Sequence, residues 1–172
     1  MDKTKPIGLD NAGFPVLREA LLSLLNQFPG LDGDKVTYQE LEDSYGICMA
    51  PESGPVVLTS RTDILGGVYR TCQFSFLVIY RTDTSDEVQK LYVSKFLENL
   101  AAWVCQEPVE GYESAVYPEL TGGRSITGAT RSNVYAFVEN ENRSQDWAVS
   151  ITVAYTHEYQ SHQGGNKWLT TS

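Results

Sequence analysis

The sequence has few cysteines, and none is spaced for a metal or redox site. Its three cysteines, Cys48, Cys72 and Cys105, include no C-x-x-C pair of the kind that binds zinc or exchanges disulfides. An odd number also leaves at least one thiol without a partner. We therefore expect all three to be reduced, buried as small apolar residues, and we expect no metal site.

Long hydrophobic runs and an excess of positive charge are also absent. The longest apolar run, residues 76–80, is far shorter than the ~20 residues that span a bilayer. The polar residues 1–6 lead into no apolar segment, so we expect no secretory signal and no membrane partner. With 13 Lys and Arg against 22 Asp and Glu, the net charge of −9 opposes binding to phosphate backbones. An acidic channel would instead let DNA pass without adhering.

Motifs for catalysis or cofactor binding are missing as well. His157 is predicted on the apolar face of a strand and His162 in a polar tail, which does not favour a shared metal site. The glycines at 122, 123 and 128 lack the Gly-Lys-Ser/Thr ending that opens a helix in phosphate-binding loops. No G-x-S-x-G sequence marks a nucleophile. We expect no enzyme activity, no catalytic residue and no cofactor.

What the sequence does contain is the apolar spacing of two amphipathic helices. The first is predicted at residues 14–28 and ends before Pro29 and Gly30. The second begins with capping-box spacing at residues 84–87 and carries a broad apolar stripe through Cys105. Both helices are expected to pack on a sheet.

Alternating apolar and polar residues predict the strands of that sheet. The predicted strands are residues 36–38 and 45–49, less regular than the rest, then 56–59, 68–81 after a Gly66-Gly67 turn, 134–138 and 147–159. Residues 107–133 are rich in Pro and Gly and predict one long loop. The order of elements predicts a single α+β domain at residues 14–159, with an antiparallel or mixed sheet and two main helices on one face. Residues 1–13 are predicted to be a leader and residues 160–172 a flexible tail.

Several stretches of the second half occur in a familiar order. They are the strand at 74–80, the helix with Trp103, Tyr117 to Leu120 followed by Gly123 and Arg124, and the strands at 133–137 and 148–155. Over residues 55–159 this arrangement resembles tail-terminator and minor capsid proteins of bacteriophages of Gram-positive hosts.

The resemblance implies a structural virion protein that is assembled in the host cytoplasm. Such a protein forms a ring, typically a hexamer, which caps the tail tube, joins it to the neck or connector, and lets DNA pass through its lumen. No cofactor is implied. The segments 60–67, 111–128 and the tail after Tyr159 would contact neighbouring subunits, the tube and the connector.

Six residues in or near these segments are the candidate interface residues. Loop and tail aromatics are enriched at protein interfaces, and loop charges can anchor a partner. The candidates are Arg61, Asp63, Tyr112, Tyr117, Arg124 and Trp168.

Two alternatives stay open. Another head-tail connection protein, such as a stopper or minor capsid protein, would share the virion context and bind the portal side. A cone-shaped ligand-binding or enzymatic domain would share the order of elements and enclose a pocket, with polar groups converging near His157 or Asp63.

Overall fold

Eight strands and two helices form the part of the chain that the computed structural model describes, residues 5–42, 45–83, 86–139 and 144–161. In chain order they are β1 (Gly8–Leu9), α1 (Gly13–Leu25), β2 (Val36–Tyr38), β3 (Gly46–Pro51), β4 (Val56–Thr62), β5 (Gly67–Asp83), α2 (Glu87–Val104), β6 (Arg124–Arg131), β7 (Tyr135–Glu139) and β8 (Ser144–Gln160). A short 3₁₀ turn, Pro29–Leu31, follows α1. The predicted α+β fold, a single domain with two helices and a large, mostly antiparallel sheet, is confirmed.

Two long strands form the centre of the sheet. β5 and β8 pair antiparallel along their full lengths, from Gly67 opposite Gln160 to Asp83 opposite Ser144. The other edge of β5 pairs with β4 at one end and β3 at the other, and the other edge of β8 pairs with β6 and β7. β1 extends the sheet beyond β4, and β2 joins β3 in the one parallel pairing among the described strands.

The helices cover one face of this sheet, and alternation along the strands decides which face. Because successive side chains of a strand point to opposite faces, every second residue of β5 and β8 lies in the core. Buried side chains on this face include Phe74, Phe76, Tyr80, Val149, Ile151 and Val153. Leucines of α1 and the apolar stripe of α2 pack into the same core cluster. Each such side chain contributes about 1.5–3 kcal/mol by leaving water.

The opposite face of the sheet, which we call the outer face, has small hydroxylated side chains along its centre. Ser75 and Thr152 share a hydrogen bond of 2.8 Å between their hydroxyl oxygens, and the hydroxyls of Thr59 and Thr71 also pair. Near the β3 end this face becomes apolar, where Cys48, Ile79 and Ala148 form a small cluster. The outer face of β5 therefore changes from polar to apolar along the strand.

Two predicted boundaries differ from the structure. The long loop predicted at 107–133 ends at Gly123, because β6 pairs with the free edge of β8 despite its glycine content. Gly128 lies at a register shift in this pairing, where a residue without a side chain fits the irregular ladder. Residues 8–13, predicted as part of a leader, belong to the domain through β1 and the start of α1.

Other predictions concern burial and the ends of the chain. Cys48 and Cys72 are buried and Cys105 is half-buried. No described helix is long and apolar enough to cross a membrane. The predicted tail beyond residue 161, with His162 and Trp168, lies outside the described residues, as do residues 140–143 before β8.

Candidate functional site

The hairpin between β4 and β5 is held by Asp63. Its Oδ1 accepts hydrogen bonds from the backbone N–H groups of Leu65 and Gly67, both at 2.8 Å. These bonds favour the ionised carboxylate and lower the pKa of Asp63. Gly66 has φ +86°, a conformation that favours glycine, and its carbonyl accepts a 2.8 Å hydrogen bond from the N–H of Ser161. The turn is therefore tied both internally and to the end of β8.

The two residues at the end of this hairpin, Ile64 and Leu65, are the hairpin tip. Ile64 is fully exposed and Leu65 is 84% exposed. Beside the tip, the Arg61 guanidinium lies 5.0 Å from the centre of the Tyr69 ring. Two apolar side chains are thus presented to solvent by a well-ordered turn, and the predicted interface residues Arg61 and Asp63 support that turn.

A second apolar feature is the aromatic groove between α2 and the turn after α1. Its floor is made by the buried rings of Phe28 and Phe96, whose centroids are 5.7 Å apart. Tyr92 and Tyr112 form partly exposed walls, with ring centroids 6.5 Å from Phe96 and 5.5 Å from Phe28 respectively. Lys95 also lines the groove, which encloses about 410 Å³. Tyr112, a predicted interface residue, therefore lies at an open apolar surface.

The segment after α2 is anchored to that helix by side-chain hydrogen bonds. The Tyr117 hydroxyl donates to the carbonyl of Val104 at 2.8 Å, and the indole N–H of Trp103 donates to the carbonyl of Glu113 at 2.8 Å. Burial raises the pKa of Tyr117. This predicted interface residue is half-buried, and its hydroxyl is used internally.

Arg124 lies in the interior and not at the loop surface, where the sequence had suggested an interface anchor. Its side chain is 6% exposed. Its Nε and one terminal nitrogen donate to the two carboxylate oxygens of Asp10 at 2.8 and 2.7 Å. The Tyr155 hydroxyl also donates to Asp10 at 2.8 Å. Arg124 is therefore not available for an interface contact, because its guanidinium is bound to Asp10 and its side chain is almost fully buried.

This buried cluster shifts the ionisation of its members. Burial by itself raises the pKa of Asp10, but the hydrogen bonds from Arg124 and Tyr155 and the positive charge of Arg124 lower it to about 2. His157, opposite Arg124 in the β6–β8 pairing, has its pKa lowered by burial and by the Arg124 charge. The cluster is therefore an ionised pair beside a histidine that favours its neutral form.

One alternative from the sequence is an enclosed pocket in which polar groups converge near His157. The structure does bring polar groups together there. Arg124 and Tyr155 both donate hydrogen bonds to the Asp10 carboxylate, so these three polar groups are already engaged. They tie the start of α1 to β6 and β8. Among the described residues no three His, Cys, Asp or Glu side chains are placed to hold a metal ion.

Sequence reasoning singled out Tyr112 and the segment 60–67, but it did not identify the other individual residues that build the two apolar surfaces. Ile64 and Leu65 carry a recognisable signal, since an apolar pair directly before Gly66-Gly67 falls within a tight turn and cannot reach the core. Phe28 and Phe96 carry none, because each fits the apolar stripe of its helix. A comparison with protein-family models finds no match, and neither does a comparison with curated protein sequences.

Proposed function

We propose that this chain is a tail terminator of a bacteriophage or phage-like particle, a structural protein that forms a ring on the end of the tail tube and joins it to the neck. The observation that carries the proposal is the pair of apolar surfaces, the hairpin tip and the aromatic groove. Exposed apolar side chains that are grouped and held rigid are typical of surfaces that bind other proteins. The sequence resemblance supplies the virion context.

The charge and the outer face are compatible with a ring around DNA. The net charge of −9 repels phosphates, and the centre of the outer face carries hydroxyl groups of Ser75, Thr71 and Thr152. A lumen lined in this way would let DNA slide without holding it. We infer that DNA is a passing cargo for the assembly and not a ligand.

The decisive experiment measures the mass of the purified protein by light scattering, alone and with the tail-tube protein encoded in the same genome. Electron microscopy of any large species follows. Rings, or particles that cap tube ends, are expected. A protein that stays monomeric and ignores assembled tubes would refute the proposal. Capture by the portal-side connector without binding to tubes would instead assign it as a stopper or minor capsid protein.

A ligand-binding domain is the second candidate, and the aromatic groove is the observation that favours it. Its volume of about 410 Å³ lies within the ~300–1,000 Å³ of small-molecule sites. This candidate predicts a monomer whose melting temperature rises with aromatic compounds. Replacing Phe96 by Ala would abolish that rise.

A further inference from the structure

We propose that the hairpin tip of one subunit docks into the aromatic groove of a neighbouring copy of this chain. This inference rests on the ring oligomer proposed above and names the contact that would build it. The occupant of the groove is thus the Ile64-Leu65 pair of a second copy.

The tip has the properties of an inserting group. Ile64 and Leu65 are adjacent, apolar and exposed, and the hydrogen bonds to Asp63 and Ser161 fix the turn that presents them. Burying aliphatic side chains of this size removes apolar surface from water and favours docking. Because the turn is already ordered, little conformational entropy is lost when it docks.

The groove has the properties of a receiving surface. Phe28 and Phe96 form an apolar floor, and Tyr92 and Tyr112 give it walls that are apolar with polar edges. Residues of this kind dominate the binding energy of protein interfaces. Each surface carries one charge of either sign, since exposed Lys95 and Asp32 line the groove and exposed Asp63 and Arg61 lie beside the tip, so opposite charges can pair across the contact.

The positions of the two surfaces exclude docking within one chain. The tip precedes Gly67 at the start of β5, whereas the groove residue Phe96 packs on Tyr80 near the end of β5, with ring centroids 5.3 Å apart. At ~3.3 Å per residue, Gly67 and Tyr80 are about 40 Å apart along the strand. A contact between different surfaces of identical subunits is heterologous, and such contacts close into rings when the rotation permits.

The energy of the contact also predicts when assembly occurs. Each contact buries only two aliphatic side chains, and association also costs translational and rotational freedom. Free subunits should therefore associate weakly in dilute solution. In a closed ring each subunit makes the contact twice, and a tube end holds the subunits close together, so assembly there is strongly favoured.

Cross-linking between copies tests the contact with the protein alone. Leu65→Cys and Asn99→Cys are prepared separately in a Cys105→Ser background, mixed at millimolar concentration and treated with a short bis-maleimide. Asn99 lines the groove. We expect the mixture to give at least ten times more covalent dimer than either variant alone, and a chain with both cysteines to give a ladder of higher species.

Leu9→Cys is the matched control for the tip, because Leu9 is 62% exposed and neither lines the groove nor belongs to a predicted interface segment. Equal cross-linking of Leu9→Cys and Leu65→Cys to Asn99→Cys would overturn the inference, as would the absence of cross-linked dimer. A small molecule retained in the groove, detected by native mass spectrometry with no cross-linked dimer, would also overturn it.

A charge at the tip separates this inference from the proposed function. Leu65→Asp should abolish ring formation on tail tubes, whereas Leu9→Asp should leave it unchanged. If the parent chain caps tubes and Leu65→Asp caps them equally well, the contact is wrong and the terminator function stands. If the parent chain ignores tubes while Leu65→Cys and Asn99→Cys still cross-link, the function is wrong and the contact stands.

Discussion

Asp10 shows how a single residue can join distant parts of this fold. It precedes α1, and its carboxylate binds Arg124 of β6 and Tyr155 of β8. Gly13 packs so close that a Cβ there would lie 2.2 Å from a carboxylate oxygen of Asp10. The absence of a side chain at Gly13 is therefore what lets the helix begin beside the ion pair.

Replacing Asp10 by Asn should destabilise the protein strongly. The change leaves the buried Arg124 guanidinium without its counter-charge, and breaking a buried pair in this way costs about 3–5 kcal/mol. Urea unfolding measures the loss. Glu119→Gln, at an exposed acidic residue, is the control and should change the unfolding free energy by less than ~0.5 kcal/mol. An equal effect of the two variants would contradict the structural role of Asp10.

The pKa values of this cluster predict loss of stability in acid. The pKa of His157 is lowered from 6.5, so its neutral form is favoured in the folded state and stability begins to fall as the pH drops below 6.5. The pKa of Asp10 is lowered from 3.8 to about 2, so its contribution is complete above pH 3.8 and is lost as the pH falls toward 2. That loss amounts to about 2 kcal/mol.

Urea midpoints measured from pH 8 to pH 2 test this dependence. Many carboxylates contribute to acid unfolding, so the informative quantity is the difference between the parent chain and Asp10→Asn. We expect this difference to shrink as the pH falls from 4 to 2. A difference that stays constant down to pH 2 would show that the hydrogen bonds do not lower the pKa of Asp10.

Among the elements, the β4–β5 hairpin is the one whose geometry depends most on one side chain. Asp63 accepts two backbone hydrogen bonds within the turn, a role that an Asn carbonyl can also fill. We expect Asp63→Ala to speed amide hydrogen exchange at residues 64–67 by about tenfold, whereas Asp63→Asn should retain most of the protection. Similar exchange in both variants would show that the strands alone order the turn. Global stability should change by less than ~1 kcal/mol, because the turn is exposed.

The element scale also explains where sequence interpretation succeeded. The two helices and the strands β5 and β8 were predicted because apolar periodicity can be recognised from residues that are close together in the sequence. β6 was missed, since Gly122, Gly123 and Gly128 suggest a loop. What makes residues 124–131 a strand is the free edge of β8, which offers unpaired backbone groups along the whole segment.

For the whole molecule, charge is the property with the clearest consequence. A net charge of −9 means that binding to DNA would bring like charges together instead of releasing counterions. We expect no electrophoretic shift of duplex DNA by the protein at ~50 mM salt, where such attraction would be strongest. A shift that disappears at ~200 mM salt would reveal a local basic surface and would count against a channel through which DNA passes freely.

Some residues of the candidate surfaces were predicted from the sequence, and others were identified only from the structure. Tyr112, Arg61 and Asp63 were singled out from the sequence, and the structure places them at the groove and at the hairpin. Phe28 lies in the turn after α1 and Phe96 lies on α2, and only the packing of that turn beside α2 makes them one floor. The contact between Asp10 and Arg124, which lie 114 residues apart in the chain, could not be predicted from the sequence either.

The sequence by itself determined the α+β class, the two helices, the long alternating strands and the acidic charge, because each of these depends on composition or on residues within a few positions of one another. The tertiary structure decided which edges pair, which arginine is buried and where exposed apolar side chains gather. These depend on contacts between residues far apart in the chain, and such contacts exist only once β5 and β8 have paired with each other and with the other strands.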